Sequence, residues 1–248
     1  MTRVRGFLAR NWAILGLLVA WHLWVTLADV NSIVMPSPAL VAQDIIGNPK
    51  LYLVNAAQTL ATAFAGVVIG VFLGALVALL AYSSRLLSGM LTPLGLIFSS
   101  VPIVALIPIL ARLLGYDIST VVAIVAVSAF FPTFVFAGAG LRDLPRGSDD
   151  LFGVMGASPM RRLRHLVLPA AVPKVMIALR LTVPEGVLAA ILAEFLMGRS
   201  GLGYIFREAT GRFAMERALA TSLVITLAAI FCFFLAQKAE RAVRARWS

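Results

Sequence analysis

The sequence is poor in the residues that build metal, redox and hydrolytic sites. It has one cysteine, Cys232, and two histidines, His22 and His165, in 248 residues. A single thiol excludes an intramolecular disulfide, and neither histidine has a Cys or His neighbour at ligand spacing, so no zinc centre is encoded. Cys232 lies in an apolar run and reads as a small buried hydrophobe. The sequence also lacks Gly-x-x-x-x-Gly-Lys-Ser/Thr, His-Glu-x-x-His and Gly-x-Ser-x-Gly, the signatures of a phosphate loop, a metalloprotease and a serine hydrolase. The chain is therefore expected to bind no cofactor and to catalyse no reaction itself. Charge is scarce as well: 13% of residues are charged and 61% hydrophobic. Soluble domains have about a quarter charged and about half apolar residues, so a soluble fold of this length could not cover so much apolar surface.

What is present is a series of apolar runs. A hydrocarbon core ~30 Å thick needs ~20 mostly apolar residues per helix. Six segments meet or approach this, at about Trp12–Ala28, Ala57–Tyr82, Leu87–Leu113, Ile118–Leu141, Val172–Met197 and Ala218–Ala236. The expected fold is an all-α integral membrane protein of about six spans, forming a single domain over residues 1–248. The first segment follows Arg3, Arg5 and Arg10, but Trp12, Trp21 and Trp24 suit an interfacial anchor and no small-x-small cleavage site follows. It reads as a retained helix. The net charge of +10 does not point to nucleic acid, because the basic residues lie between apolar runs and are not interleaved with aromatics.

Six spans place both termini on one side. If that side is the cytoplasm of a bacterial inner membrane, fourteen Lys and Arg residues face it and six face outward, with Arg180 left inside a span. The positive-inside bias then favours this orientation. The stretch from Arg199 to Arg217 opposes it locally, since Glu208 and Glu216 offset only part of its charge. Within the second span, Gly66, Gly70 and Gly74 recur every four residues and bare one helix face. That face suits close packing within the chain or, alternatively, against a second copy. Arg180, Glu185 and Glu194 fall in the fifth span. Pro184 leaves the Arg180 carbonyl without its helical donor, which predicts a kink there. Charges at such depth face a cavity or a partner, so Glu185 either lines a pathway beside the kink or pairs with Arg180. Glu194 points to the opposite face and reads as a structural partner near the helix end.

The connection between the fourth and fifth spans, about residues 142–171, is too polar to span and too patterned to be a plain linker. Ser148 can cap a helix whose first turn holds Asp149 and Asp150. Leu151, Phe152 and Met155 give helical apolar spacing, Gly156 permits a bend, and Ser158 can cap a second helix with Pro159 at its first position. The basic residues Arg161, Arg162 and Arg164 follow. Asp150, Gly156, Ala157, Leu168 and Pro169 resemble the EAA loop of ABC importer permeases, with Asp150, Leu151 and Phe152 standing where Glu, Ala and Ala are usual. Three more stretches resemble the nitrate, sulfonate and taurine branch of that family. These are Met35-Pro-Ser-Pro38, Val101-Pro-Ile-Val-Ala-Leu-Ile-Pro108 with Gly115, and Ala193-Glu-Phe-Leu-Met-Gly198 followed by Ser200-Gly-Leu-Gly-Tyr204.

The resemblance implies that Asp149, Asp150, Phe152, Met155, Gly156, Ala157, Ser158, Pro159, Arg161 and Pro169 belong to a cytoplasmic coupling helix and its ending, gripped by an ATPase subunit. It implies a second permease copy, two ATPase subunits holding ATP and magnesium, and an external solute-binding protein. The branch carries small anions such as nitrate, sulfonates and taurine, and also small heterocycles such as pyrimidine vitamin precursors. A stand-alone ion-coupled carrier would share the midplane carboxylates, but it needs no coupling loop.

Overall fold

The computed structural model describes residues 2–246, with the backbone alone for 2–11, 14 and 15. The side chains of Arg3, Arg5 and Arg10 therefore lie outside the description. Among the described residues every regular element is a helix. They are α1 (Thr2–Leu27), α2 (Pro38–Gly47), α3 (Pro49–Ser83), α4 (Arg85–Ser99), α5 (Ile103–Leu114), α6 (Ile118–Arg142), α7 (Ser148–Val154), α8 (Pro159–Arg162), a π-helical turn (Leu163–Val167), α9 (Leu168–Met197), α10 (Leu202–Gly211) and α11 (Met215–Arg244). Among the described residues α3, α6, α11 and the run Pro159–Met197 are each long and apolar enough to cross a bilayer. Within α1 the apolar stretch is shorter, Gly16–Leu27.

The third expected span, read as one helix over Leu87–Leu113, is broken. α4 and α5 meet at 103°. Pro102 has no N–H to continue the ladder and pushes Val101 out of the helical region. The hydroxyls of Ser99 and Ser100 donate to the Leu96 carbonyl at 2.7 and 3.2 Å, which closes the last turn of α4. Pro93 and Pro108 sit inside their helices without ending them.

The core is made by α3, α6 and α9, with α5 against them. Ile124 and Val125 of α6 meet Ala63 and Val67 of α3, Ala189, Ala190 and Ala193 of α9, and Ile107 of α5. Small residues set the spacing. A Cβ on Gly66 would fall 2.5 Å from the Val125 Cβ, and one on Gly74 would fall 2.6 Å from the Phe130 carbonyl oxygen. The three-glycine face is thus turned onto α6 of the same chain.

The fifth span also differs from expectation, because it begins well before Val172. Residues Pro159–Met197 form one run of 39 residues, about 58 Å long at 1.5 Å per residue. That is almost twice the hydrocarbon thickness, so one end stands clear of the bilayer. The π-helical turn lies just before Pro169, and the Leu168 N–H bonds back to the Leu163 carbonyl. A widened turn gives room to a proline ring that would clash with the carbonyl four residues earlier. Pro184 lies inside α9 without breaking it.

Candidate functional site

The polar connection leaves the bundle as a folded corner. Gly147 precedes α7 with φ 75°, a left-handed geometry that a side chain would strain. Gly147 therefore takes the cap position expected of Ser148, whose Oγ instead donates to the Pro145 carbonyl at 2.6 Å. After α7 the chain reverses at Gly156, φ 64°. Ser158 caps α8, accepting from the Arg161 N–H at 3.4 Å. The two arms are clamped by Arg162, which donates through Nε and an NH2 to both carboxylate oxygens of Asp149, at 2.8 and 2.6 Å. A forked pair of this kind fixes orientation as well as distance. Lys174 pairs with Asp143 at 3.3 Å, and Arg142 donates to the Ser88 hydroxyl of α4 at 2.6 Å, so both stems are tied to the bundle.

The outer face of this corner is apolar. Leu151, Val154, Met155 and Met160 are exposed, Val154 to 88%. Asp149, Asp150, Gly156, Ser158, Pro159 and Arg161 are exposed beside them, while Phe152, Ala157 and Pro169 are half-buried. Four large apolar side chains are thus exposed together on one short corner that the Asp149–Arg162 ion pair braces.

At the opposite end of α9 lies a buried polar network. Glu194 is 3% exposed. One carboxylate oxygen accepts from the Thr59 hydroxyl at 2.8 Å and from the Gly203 N–H at 3.1 Å. The Thr59 oxygen accepts in turn from the Leu202 N–H at 2.9 Å, and Asn55 Oδ1 accepts from the Gly201 N–H at 2.9 Å. This accounts for the Gly-Leu-Gly sequence: Gly201 is left-handed at φ 94°, and a Cβ on Gly203 would lie 2.8 Å from the Glu194 Cβ. Beside the network lies a recess of about 170 Å³ of mixed character, with Gln58, Asp117, Glu194 and Arg199 in its wall alongside apolar Ile118 and Val121.

The basic stretch that opposes the charge bias is largely satisfied locally. Arg207 donates to the Phe195 and Gly198 carbonyls at 3.1 and 2.7 Å, capping the end of α9. Arg212 pairs with Glu208 at 2.6 Å, and Arg217 pairs with Asp44 of α2 at 3.1 Å.

The charges of α9 do not pair as the sequence alternative had it. Arg180 pairs with Glu240 of α11 at 3.0 Å, not with Glu185, and Arg244 joins the same carboxylate at 3.2 Å. Glu240 was missed because it lies beyond Ala236, where the apolar run of the sixth span ends. Its spacing from Ala236, one turn along the same face, was the available signal; both are buried. Arg180 is therefore level with Lys238, Arg241 and Arg244, where α11 leaves the apolar zone. Glu185 lies about 7.5 Å deeper along α9, on an exposed stripe with Leu181 and Leu188. Among the described residues no ion pair reaches it.

Removing one member of a buried pair costs about 3–5 kcal/mol, whereas replacing both by apolar groups is often neutral. Glu240→Leu is expected to lower the melting temperature of the purified chain sharply, and Arg180→Leu/Glu240→Leu to recover most of the loss. A double variant no better than the single one would remove the pair from the account of stability.

Residues 66–248 match the family described as binding-protein-dependent transport system inner membrane component. A probable ABC transporter permease protein of Haemophilus influenzae is 28% identical over 218 residues, covering 88% of this chain and 89% of that protein. The formylaminopyrimidine transport permease protein ThiX of Halalkalibacterium halodurans is 29% identical over 225 residues, covering 90% of each. A subunit of the inward-facing MetNI methionine ABC transporter superposes with a TM-score of 0.66 at 25% identity, covering 80% of this chain and 98% of that one. With residues 66–248 inside the match and the same helical bundle in a solved importer, the chain belongs to the family of binding-protein-dependent transport system inner membrane components and is the permease subunit of an ABC importer for a small solute.

Proposed function

We propose that two copies of this chain form the translocation pathway of an inner-membrane importer whose solute is a small heterocycle carrying amine donors, of the aminopyrimidine class. Each copy presents its α7–α8 corner to one of two ATPase subunits that hold ATP and magnesium, while a solute-binding protein delivers the solute at the Glu194 end. Both termini and the corner then face the cytoplasm, in keeping with the charge bias of the connecting segments. The observation that carries this reading is the corner itself: exposed Leu151, Val154, Met155 and Met160 mounted on the Asp149–Arg162 clamp, at the projecting end of a 39-residue helical run. A rigid lever of that kind transfers a displacement of its tip to α9, where a mobile loop would absorb it. Asp149, Asp150, Phe152, Met155, Gly156, Ala157, Ser158, Pro159 and Arg161 make or flank the contact, and Pro169 sits at the joint with α9.

Two observations support the solute class. The formylaminopyrimidine permease aligns over 90% of the chain. Glu185 stands on the exposed stripe of α9, and among the described residues no ion pair reaches it, an arrangement that accepts hydrogen bonds from amines and repels anions such as sulfonates. Arg180 and Pro184 shape this segment without contributing free charge to it, since Glu240 holds Arg180.

The test is reconstitution of the chain with its ATPase and binding protein in vesicles, with uptake of a labelled aminopyrimidine measured against a sulfonate. Uptake is expected to require ATP and the ATPase. Movement of either solute by the chain alone would discard the coupled reading, and preference for the sulfonate would discard the solute class. Glu185→Gln keeps the shape but loses the charge-assisted bond, so uptake is expected to fall about tenfold. The assembled complex should be recovered in normal yield.

A further inference from the structure

We infer that Asp44 is a positioning residue of the transport cycle: it clasps the outer end of α11, and α11 relays displacement between the α9 lever and the outer face. The inference rests on the importer reading above. Asp44 lies on the packed side of α2, with 10% of its side chain exposed. Its carboxylate accepts from the Tyr52 hydroxyl through one oxygen, and through the other from Asn48 Nδ2 at 3.2 Å and from Arg217 of α11 at 3.1 Å. Asn48 alone separates α2 from α3, so the clasp has no slack on that side. The same face of α3 continues a turn at a time from Tyr52 to Asn55 and Thr59, which hold Gly201 and Glu194. The outer ends of α9 and α11 are thus anchored on one polar ladder of α3.

The inner end of α11 is latched separately. Glu240, its side chain 5% exposed, pairs with Arg180 of α9 at 3.0 Å. Arg217 and Glu240 stand about 35 Å apart along α11 at 1.5 Å per residue. That exceeds the hydrocarbon thickness of ~30 Å, so the two latches lie at opposite membrane surfaces. Between them α11 contains neither proline nor glycine, the usual causes of a kink. Its outward side exposes Leu223, Leu227, Ile230, Phe231 and Phe234. Lipid tails are as apolar as these side chains and give the helix no fixed register, whereas the two buried carboxylates do. A stiff rod fastened at both ends transmits a displacement. A shift of α9 at Arg180 moves Glu240, and with it Arg217, Asp44 and α2. Gln43 and Ile46, on the exposed side of α2, then change position at the outer face.

The test is the linkage between nucleotide and binding protein in the full complex of permease, ATPase and binding protein. The affinity of the solute-free binding protein is measured without nucleotide and with a slowly hydrolysed ATP analogue. In the native complex the two affinities are expected to differ about tenfold, within the usual range of a coupling free energy. Asp44→Asn should bring that ratio close to one and leave the nucleotide-free affinity unchanged. Asparagine keeps the shape and a hydrogen bond with Tyr52, and Arg217, its side chain 39% exposed, regains water, so the fold holds. Arg217→Lys keeps the charge and should keep most of the ratio. An unchanged ratio in Asp44→Asn would overturn the relay. Equal loss of both affinities with the ratio kept would also overturn it and leave Asp44 a purely structural group. A native ratio of one would overturn it as well, since nothing would then be relayed. Failure of the native chain to bind the ATPase or the binding protein at all is a different result, and it would discard the importer reading together with the relay.

Discussion

Replacing Val154 by aspartate is expected to reduce ATP-driven uptake by about thirtyfold, the cost of losing about 2 kcal/mol at a contact hot spot, while the melting temperature of the isolated chain stays unchanged. The two outcomes separate because Val154 is 88% exposed and supports nothing within its own chain. An aspartate there is solvated in the free permease. In an apolar socket on the ATPase it would have to shed that water, and no basic side chain of α7 is available to pair with it; Arg162 is already engaged by Asp149. Val154→Leu keeps the contact apolar and should retain most of the activity. The measurement is uptake in reconstituted vesicles, accompanied by pull-down of the ATPase through the permease. Normal uptake and normal pull-down of the aspartate variant would mean that the corner is not where the motor grips. Unfolding of the variant in isolation would mean that Val154 is part of a core.

Much of this architecture was readable in the sequence, for reasons that differ from element to element. The long apolar runs of α3, α6 and α11 announce themselves because hydrocarbon imposes a length as well as a composition. The corner was readable from turn chemistry: Gly156 at the reversal and Ser158 with Pro159 opening α8 are local demands, independent of the rest of the chain. What the sequence hid depends on pairs distant along it. The Asp149–Arg162 clamp joins residues thirteen apart across a reversal, and Arg162 stands in a run of arginines in which any could have been chosen. Arg180 found Glu240 because α11 continues one turn past its apolar run, and hydropathy is silent on where a helix continues into polar sequence. The break between α4 and α5 was concealed by uniform hydrophobicity, although Pro102 marked it. A proline inside an apolar run is compatible with a helix that continues through it, as at Pro93 and Pro184, and with a sharp bend such as the 103° between α4 and α5. The choice is made by the Ser99 and Ser100 hydroxyls that seal the end of α4. The glycine face of α3 was legible as a face but not as a partner, since small-residue spacing is the same for contact with α6 and for contact with a second copy.

Within that glycine face Gly70 stands closest to the backbone of α6, and Gly70→Leu is expected to yield no stable folded chain. A Cβ on Gly70 would fall on the Ala126 carbonyl oxygen and 2.8 Å from the Ala129 Cβ. Overpacking costs about 1–3 kcal/mol where neighbouring side chains can turn aside. Here the obstacle is the backbone of α6, which cannot yield without separating from α3 and opening the core at Val67, Ile124 and Val125. Gly70→Ala should already destabilise measurably, and leucine adds three more carbons to the same gap. Gly89 of α4 provides the control, because nothing lies within 4 Å of a Cβ built there. Gly89→Leu should accumulate as the native chain does. Size-exclusion profiles and melting temperatures of the detergent-extracted variants give the comparison. A Gly70→Leu chain that folds normally but fails to pair with a second copy would move the glycine face from the interior of the subunit to its dimer contact. A chain that folds and pairs normally would show that α3 and α6 stand farther apart than the structure places them.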